Sequence, residues 1–394
     1  MRALLLILDG VGCGSAPDAA AFGDEGASTL GNIFHTVPEL SLPALFSLGL
    51  WKLLTADVFD PRSQGTQGRW GRMRPASPGK DSVTGHWELA GVIVDRPFAT
   101  IEDVVKPFIA AVEADAKVKF IASRRGPASL ALETAGKRHF ENGEFILSFD
   151  QDSIVEIAAH ESVHSSSRLH DVCRIARRHA NTLRIARVVA RPLSGQPEKL
   201  RYSPGGREYG IVPPRTVLNA ITETGLPVHG IGKVGDLFGG SGITKSTSAT
   251  SNAGCFAEID RAWDAGADGL VFANLADFDA LGGHKRDPLA YASLLMEFDD
   301  WIGSLLPHIE PEDLVIITAD HGNDPTYRGT AHTREETPLL VLHGSEAGPL
   351  GTRRTFADIA ATFSEFFQLR QRWPVGESFL RAPGTPVPKR QKRR

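Results

Sequence analysis

The sequence predicts an α/β protein whose core is a parallel sheet and whose middle section forms a separate, inserted domain. Two observations predict the sheet: short, almost continuous apolar segments occur near both ends of the chain, and amphipathic helical segments separate or follow them. A third observation, a change of pattern between about residues 96 and 209, predicts the insertion. With 394 residues, the chain is long enough for two or three domains.

Three apolar segments have the length and composition of strands that are buried on both faces. They are ALLLILDG near the start of the chain, and GLVFANLADFD and DLVIITADHG further on. Between the last two, apolar residues recur near the 3.6-residue period of a helix from Leu289 to Leu305, directly after Asp287 and Pro288. The order strand, helix, strand predicts a parallel βαβ unit. A second amphipathic helix is predicted over Thr355–Phe367.

The middle of the chain alternates helix-like and strand-like segments. The patterns predict helices over Ile154–Ser162 and Leu169–His179, and strands over Phe145–Phe149 and Ile185–Ala190. The stretch Arg191–Pro214 is dense in Gly, Pro and Ser, and this composition is typical of a linker.

These patterns predict the domain boundaries. We expect a discontinuous α/β core over residues 1–95 and 210–381 and a smaller α+β domain over residues 96–209. Residues 382–394 end in PKRQKRR, and a block of like charges after a Pro- and Gly-containing stretch predicts a disordered, solvated tail.

Composition and charge exclude several classes of protein. The formal net charge of −4 and a pI near 6.4 argue against a nucleic-acid or anionic-membrane binder. The first apolar run is too short for a signal peptide, and no run approaches the roughly 20 residues of a membrane helix, so we expect a soluble protein. The widely separated Cys13, Cys173 and Cys255 predict a reducing, cytoplasmic setting and oxygen and nitrogen ligands for any metal. No obligate protein partner is evident.

Each of the three predicted strands delivers an aspartate at or just after its carboxyl end: Asp9, Asp279 and Asp320. Ligands of open α/β sheets bind at that edge, so we expect the three carboxylates to converge. Three histidines, which are His284, His321 and His332, lie close to two of these aspartates in the sequence. Six such oxygen and nitrogen donors predict a site for two divalent cations, such as Mn²⁺, Zn²⁺ or Mg²⁺.

The metal prediction depends on these six residues together. An isolated Asp at a strand end is more often a helix cap or a turn residue, and an isolated His is more often structural. The histidines that we interpret as structural or solvated are His139, His160, His164, His170, His179, His308 and His343.

The segment SPGKDSVTGHWELAGV supplies a candidate nucleophile. Lys80, Ser82 and Thr84 lie in a glycine-bounded loop that leads into a helical pattern, and a helix N-terminus favours a phosphate group. A phosphate-binding Walker loop is excluded, since it requires Gly where Arg74 stands and Ser or Thr after Lys80. The residues alone leave the choice between Ser82 and Thr84 open.

On these residues the chain resembles the phosphopentomutases of the alkaline phosphatase superfamily. The matching segments, in the order and spacing of that family, are LILDGVGCGSAPDA, TLGNI, GKDSVTGHWELAG, EIAAHE, ARVVARP, GIGKVGDLF, NLADFDALGGHKRD, TADHGNDPTYRGTAHTREETPLLV and VGESFL. The resemblance implies an alkaline-phosphatase-like, doubly wound core with an inserted cap domain. It also implies interconversion of ribose or 2-deoxyribose 1-phosphate with the 5-phosphate through a sugar 1,5-bisphosphate.

The resemblance further implies the site residues. Thr84 would be the nucleophile that becomes phosphorylated, and a sugar bisphosphate would be the activator. Two Mn²⁺ ions, with Mg²⁺, Zn²⁺ or Co²⁺ as alternatives, would be bound, one by Asp9, Thr84, Asp320 and His321 and the other by Asp279, His284 and His332.

The predicted sugar-phosphate contacts are Asp152, Arg187, Arg201, Arg207 and Lys233. The cap reads SFDQDSI where the family usually has TSADSV. Two other functions are considered: another metal-dependent phosphomutase or phosphohydrolase of the same superfamily, and a catalytically inactive sugar-phosphate-binding protein. The segments GKDSVTGHWE and GIGKVGDLF favour the pentomutase over the first alternative, and the intact Thr84 and metal donors favour it over the second.

Overall fold

The computed structural model describes residues 1–54, 66–99, 101–124, 128–150, 153–197 and 199–380. Over these residues the strands form one sheet of eight and one of six. In chain order the strands are β1 (Arg2–Leu8), β2 (Arg69–Met73), β3 (Phe120–Arg124), β4 (Phe145–Asp150), β5 (Ile154–His160), β6 (Arg187–Gln196), β7 (Lys199–Tyr202), β8 (Arg207–Gly210), β9 (Val228–Ile231), β10 (Lys245–Thr247), β11 (Gly269–Leu275), β12 (Leu314–Thr318), β13 (Thr337–Leu342) and β14 (Gly348–Arg353).

The helices pack on the faces of these sheets. In chain order they are α1 (Thr29–Thr36), α2 (Pro43–Ser47), α3 (Ser82–Leu89), α4 (Ile101–Ala116), α5 (Ala128–Asn142), α6 (Ser166–Thr182), α7 (Val217–Thr222), α8 (Val234–Leu237), α9 (Asn252–Asp264), α10 (Pro288–Leu305) and α11 (Asp358–Phe366). Shorter 3₁₀ segments span Ala19–Phe22, Leu50–Leu53 and Leu306–His308, and a π-helical turn spans Phe278–Gly283.

The larger sheet has the strand order β10-β9-β11-β1-β12-β13-β2-β14. The five strands from β10 to β12 are parallel, and β13 is antiparallel to both of its neighbours. Strand β1 is almost wholly buried because both faces of the sheet are covered. Its odd residues from Ala3 to Ile7 belong to one apolar cluster, and its even residues from Leu4 to Leu8 belong to another. The prediction of an α/β core is confirmed.

The predicted βαβ unit is present. Its helix α10 begins where the Oδ1 atom of Asp287 accepts a hydrogen bond from Ala290 N at 2.9 Å, and Pro288 occupies the first turn. Leu295, Phe298 and Ile302 are fully buried against the sheet, as their spacing predicts.

The smaller sheet has the order β3-β4-β5-β6-β7, with β8 also pairing with β6. Its strands all lie between Phe120 and Gly210, inside the interruption of the larger sheet. Helices α4 and α6 cover one face, where Phe108 and Val172 are fully buried. The predicted strands at Phe145–Phe149 and Ile185–Ala190 are confirmed in β4 and β6, although β6 begins at Arg187.

Two expectations for this region are wrong. Residues Ile154–Ser162 were expected to be helical, but β5 occupies Ile154–His160 between β4 and β6. A strand covered on both faces has a continuous apolar run, and a short run of that kind is not distinguishable from a helix by its period. The stretch Arg191–Pro214 is not a linker, because it contains the end of β6 and the strands β7 and β8.

Several other features bear on the sequence predictions. Cys13, Cys173 and Cys255 are buried free thiols. Within the described part of the chain, no helix combines the length and apolar character needed to traverse a bilayer. The predicted basic tail at 382–394 lies outside the described residues.

Candidate active site

Three buried aspartates lie at one edge of the larger sheet, where three neighbouring strands end. Strand β1 lies between β11 and β12, and all three run in the same direction. Asp9 directly follows β1, Asp320 lies two residues after β12, and Asp279 lies in the π-helical turn that follows β11. The predicted convergence of the three carboxylates is therefore present in the structure.

Asp9, Asp320 and His321 form the first group of donors. Each offers one ligand atom, and the three atoms lie within 4.8 Å of one another. The Nε2 atom of His321 is 3.5 Å from Asp9 Oδ1 and 3.3 Å from Asp320 Oδ2. These two oxygens are buried and accept no hydrogen bond from any described residue. Buried carboxylate oxygens without hydrogen bonds are costly, so a bound cation fits their arrangement.

Asp279, His284 and His332 form the second group. Asp279 Oδ2 is 3.1 Å from His284 Nε2, and Asp279 Oδ1 is 3.4 Å from His332 Nε2. The ring of His332 also stacks on that of His321, with centroids 3.8 Å apart. Ligand atoms of Asp279, His321 and His332 lie within 4.8 Å of one another, so His321 joins the two groups into one cluster.

The histidine rings of the second group are oriented by backbone carbonyls. His332 Nδ1 donates to Lys80 O at 2.8 Å, and His284 Nδ1 donates to Thr330 O at 2.9 Å. A carbonyl only accepts, so Nδ1 of each ring carries a proton, and in the neutral form of the ring the lone pair is on Nε2. The two Nε2 atoms face each other at 3.2 Å. Two lone pairs at that distance repel, and a shared cation removes the repulsion, so the donor set fits a divalent metal.

The carboxylates differ in their pKa values. Burial and the neighbouring Asp320 carboxylate raise the pKa of Asp9. Burial alone would raise the pKa of Asp279 as well, but His332 and His284 outweigh it and hold that pKa well below its usual range. For Asp320, His321 and His86 outweigh burial and lower the pKa. The histidines thus favour the ionised forms of Asp279 and Asp320, whereas burial and the Asp320 carboxylate favour the protonated form of Asp9.

The two candidate nucleophiles lie in the first turn of α3. Its N-cap residue is Asp81, which accepts hydrogen bonds from Thr84 N at 2.9 Å and from Thr84 Oγ1 at 2.5 Å. The Oγ atom of Ser82 is 3.2 Å from His321 Nε2. Thr84 is therefore bound to the helix cap, and Ser82 contacts the donor cluster.

Lys233 lies inside this site. Its Nζ atom is 3.2 Å from Asp9 Oδ2. Burial alone would lower the pKa of Lys233, but the attraction of Asp9 and Asp279 outweighs it and raises the pKa. Lys233 therefore carries its positive charge beside the first group of donors.

Three of the four remaining predicted substrate contacts lie on the smaller sheet. Arg187 forms a double hydrogen bond with Glu208, in which Nη2 is 2.6 Å from Oε2, and the pair is mostly buried. Arg207 is exposed, with its guanidinium carbon 5.3 Å from the centroid of the Tyr209 ring. Arg201 is exposed on β7, outside the cluster described above. Asp152 lies outside the described residues.

Two asparagines that orient the aspartates were absent from the sequence predictions. Asn274 Nδ2 donates to Asp9 Oδ2 at 3.0 Å, and Asn323 Nδ2 donates to Asp279 Oδ1 at 2.7 Å. The signal for Asn274 is a polar residue inside an apolar strand, since it is fully buried near the end of β11. Asn323 lies two residues after His321 and has no comparable signal.

Comparison with known proteins places the chain in a family. The model of the metalloenzyme superfamily matches residues 1–371. A phosphopentomutase of Deinococcus radiodurans is 41% identical over 371 residues, which cover 93% of this chain and 95% of that protein. A phosphopentomutase of Acetivibrio thermocellus is 39% identical over 396 residues, covering 96% of this chain and 98% of that protein.

Among solved structures, a phosphoglycerate mutase of Leishmania mexicana is similar over 95% of this chain and 97% of its own, with a TM-score of 0.50 and 12% identity. At that identity the likeness concerns the fold alone, and it agrees with the α/β architecture. The curated relatives share far more of the sequence over almost the whole chain. The chain therefore belongs to the phosphopentomutase family of the metalloenzyme superfamily and is an enzyme of the isomerase class.

Proposed function

We propose that the enzyme interconverts ribose 1-phosphate, or its 2-deoxy form, with the 5-phosphate through a phosphothreonine at Thr84 and a sugar 1,5-bisphosphate. The observation that carries the proposal is the cluster of three buried carboxylates and three histidines, of which His321 and His332 are buried, beside the first turn of α3. The similarity to named phosphopentomutases supports the substrate class.

Two divalent cations, with Mn²⁺ as the proposed metal, would be held by the chain. One would be held by Asp9, Asp320, His321 and Thr84, and the other by Asp279, His284 and His332. When bound, the cations neutralise the oxygens of the transferring phosphoryl group and favour ionisation of the nucleophile hydroxyl.

In the proposed cycle, Thr84 carries the phosphoryl group and transfers it to the free hydroxyl of the bound sugar monophosphate. A phosphorus–oxygen bond to the sugar forms, the bond to Thr84 Oγ1 breaks, and the proton of the sugar hydroxyl passes to Thr84 Oγ1. Asp81 then accepts the hydrogen bond of the regenerated hydroxyl. After the bisphosphate has reoriented, its other phosphoryl group returns to Thr84, and the sugar oxygen that it leaves recovers the proton.

Residues 96–209 would act as a cap over this site. A phosphothreonine beside two cations hydrolyses if water reaches it, so a segment that excludes solvent favours transfer to the sugar. Lys233 lies at the donor cluster, and the positive charge of Arg187 is close enough to that of Lys233 to oppose it. The proposed sugar-phosphate contacts are Lys233, Arg187, Arg201, Arg207 and Asp152.

An exchange assay tests the reaction. Ribose 5-phosphate, Mn²⁺ and a catalytic amount of sugar bisphosphate should yield ribose 1-phosphate. Release of inorganic phosphate without isomerisation would instead identify a phosphohydrolase. Binding of the sugar phosphate without turnover would identify an inactive binding protein.

Substitution of the nucleophile is the first prediction. Thr84→Ala should lower the rate of isomerisation by at least about 1,000-fold, because no side-chain oxygen is left at this position to accept the phosphoryl group. Thr84→Ser, which keeps the hydroxyl, is the matched control and should retain measurable turnover. Peptide mapping after incubation with the bisphosphate should find phosphate on Thr84, and phosphate on Ser82 would contradict the assignment.

Metal content is the second prediction. Elemental analysis should find two metal ions per wild-type chain and fewer in His284→Ala and Asp320→Ala, since each change removes a donor. His308→Ala is the control, because His308 is exposed in the 3₁₀ segment that follows α10. Unchanged metal content in both site variants would contradict the proposed ligands.

A further inference from the structure

A histidine outside the predicted donor set packs against the first group of donors. His86 lies two residues after Thr84 in α3, is fully buried, and stacks on Phe272 of β11 with centroids 5.8 Å apart. Its Nδ1 atom is 2.8 Å from Ser82 O, and its Nε2 atom is 3.3 Å from Asn274 Nδ2. The carbonyl only accepts, so the neutral ring donates through Nδ1 and accepts through Nε2.

Asn274 extends this contact to the first group of donors. One hydrogen of its amide group is directed to Asp9 Oδ2 at 3.0 Å and the other to His86 Nε2. The reverse orientation of the amide would place its oxygen against the Asp9 carboxylate, where two acceptors repel. Asn274 therefore fixes Asp9 with Oδ1, the oxygen without a hydrogen bond, directed toward His321.

His86 also approaches the second carboxylate of this group. Its Nδ1 atom is 3.2 Å from Asp320 Oδ2, while Asp320 Oδ1 accepts a hydrogen bond from Gly10 N at 3.2 Å. The imidazole ring of α3 thus contacts the Ser82 carbonyl of its own helix, the end of β12 through Asp320, and the end of β1 through Asn274 and Asp9.

We propose that His86 is a positioning residue for the metal bound by Asp9 and Asp320. Together with Asn274 it holds the two carboxylates so that Asp9 Oδ1 and Asp320 Oδ2 face His321, and it fixes the first turn of α3 relative to them. The proposal rests on the proposed two-metal function. Partners behind metal ligands orient them, and the loss of such a partner typically weakens metal binding by about 10–100-fold.

The chain offers variants that separate packing from polarity. His86→Phe keeps a ring that stacks on Phe272 but removes the three polar contacts with Ser82 O, Asn274 Nδ2 and Asp320 Oδ2. His86→Gln keeps a side-chain oxygen that accepts from Asn274. Asn274→Leu removes the hydrogen bond to Asp9 and the contact with His86 while keeping nearly the same side-chain volume. His229→Phe is the control, because His229 is buried on β9 and hydrogen-bonds to Thr247 at 2.8 Å, away from the donor cluster.

The experiment is a titration of metal-free protein with Mn²⁺, in which free Mn²⁺ is followed by electron paramagnetic resonance without substrate. Wild type and His229→Phe should bind two ions. His86→Phe and Asn274→Leu should each bind one of the two ions at least about tenfold more weakly, and His86→Gln should recover affinity to within about threefold of wild type. The double variant His86→Phe/Asn274→Leu should bind Mn²⁺ no more weakly than the weaker-binding of the two single variants. Either change breaks the same chain of contacts from His86 through Asn274 to Asp9.

The outcomes separate the two proposals. A wild-type chain that binds fewer than two Mn²⁺ would overturn the two-metal function and this inference with it. Two tightly bound ions in wild type and in His86→Phe would overturn only the role of His86. If His86→Phe does not fold, Asn274→Leu decides, and wild-type affinity in that folded variant overturns the inference.

Discussion

Glu335 is a buried carboxyl group close to the site in sequence but outside the donor cluster. Its oxygens accept hydrogen bonds from Gly14 N at 3.1 Å and from Thr29 N at 2.9 Å, and also from the hydroxyl groups of Thr29 and Thr333 at 2.7 Å. Burial raises the pKa of Glu335 from 4.5 to about 6, although these hydrogen bonds oppose the increase. Glu335 thus ties the loop after β1 to the loop after β12.

The third prediction concerns this residue. Between pH 4.5 and 6, the folded chain binds a proton at Glu335 that the unfolded chain has released, so the contribution of Glu335 to stability falls as pH rises. Glu335→Gln does not ionise, and its amide donates to the two hydroxyl groups. Relative to wild type, its unfolding free energy should therefore increase by up to about 2 kcal/mol from pH 4.5 to 7.5.

Urea unfolding of both metal-free proteins at several pH values measures this difference. Other titrating groups are common to the two chains and cancel in the comparison. A difference that stays constant over this pH range would show that Glu335 does not titrate there.

At the scale of elements, helix α3 approaches the end of β12 closely at Gly85. A Cβ atom at this position would lie 2.2 Å from Asp320 O and 2.8 Å from Asp320 Cβ, and backbone atoms do not yield easily. Gly85 therefore permits the close approach that brings Ser82 and His86 to the donor cluster. The position of helix α3 therefore depends on the absence of a side chain at Gly85.

The fourth prediction follows from this contact. Gly85→Ala should displace α3 from Asp320, lower isomerisation by at least about 100-fold, and destabilise the fold by about 1–3 kcal/mol. Gly303→Ala in α10 is the control, because its added Cβ would lie at an ordinary 3.4 Å from Ala44 Cβ, and Ala favours a helix. Activity and thermal unfolding of the two variants measure the effect, and wild-type activity in Gly85→Ala would contradict it.

At the scale of the whole molecule, the smaller sheet contacts the core near the site through β8 and α8. The backbones of these two elements are close together, because a Cβ atom added at Gly210 of β8 would lie 2.3 Å from Asp236 O of α8. Arg187 and Glu208 neutralise each other by a double hydrogen bond. Arg207, which precedes Glu208 in β8, is exposed, so its charge is the more accessible to a phosphate group.

The fifth prediction tests the proposed cap. Arg207→Ala should lower the ratio of isomerisation to phosphate release by about tenfold, because a charge-assisted hydrogen bond to the distal phosphate is lost. Metal content should not change. Arg215→Ala is the control, since Arg215 is also exposed but pairs with Glu223. Arg187→Ala is less informative, because it leaves the buried Glu208 carboxylate without its partner.

An unchanged ratio in Arg207→Ala would remove Arg207 from the proposed phosphate contacts. Assays of ribose 1-phosphate and inorganic phosphate in the same reaction measure the two quantities directly. If the ratio is unchanged in Arg207→Ala, the proposed cap has to retain the bisphosphate through other residues.

The sequence by itself determined the core strands, the helix α10 and the three aspartates at the strand ends. Each of these features has a local signal: a continuous apolar run, a helical period after an Asp-Pro cap, or an acidic residue where an apolar run ends. The resemblance to a family then added Thr84 and the division of the donors between two metals.

Only the tertiary structure decided which residues surround those donors. Ile154–His160 is a strand because β4 and β6 flank it, and its apolar run does not reveal those neighbours. The contact of His86 with Asn274 joins segments 188 residues apart, and that of Asn274 with Asp9 joins segments 265 apart. Such contacts leave no local pattern, because they depend on strand order and on the close approach of α3. The sequence therefore determines the reactive groups locally, whereas packing between distant segments determines their orientation.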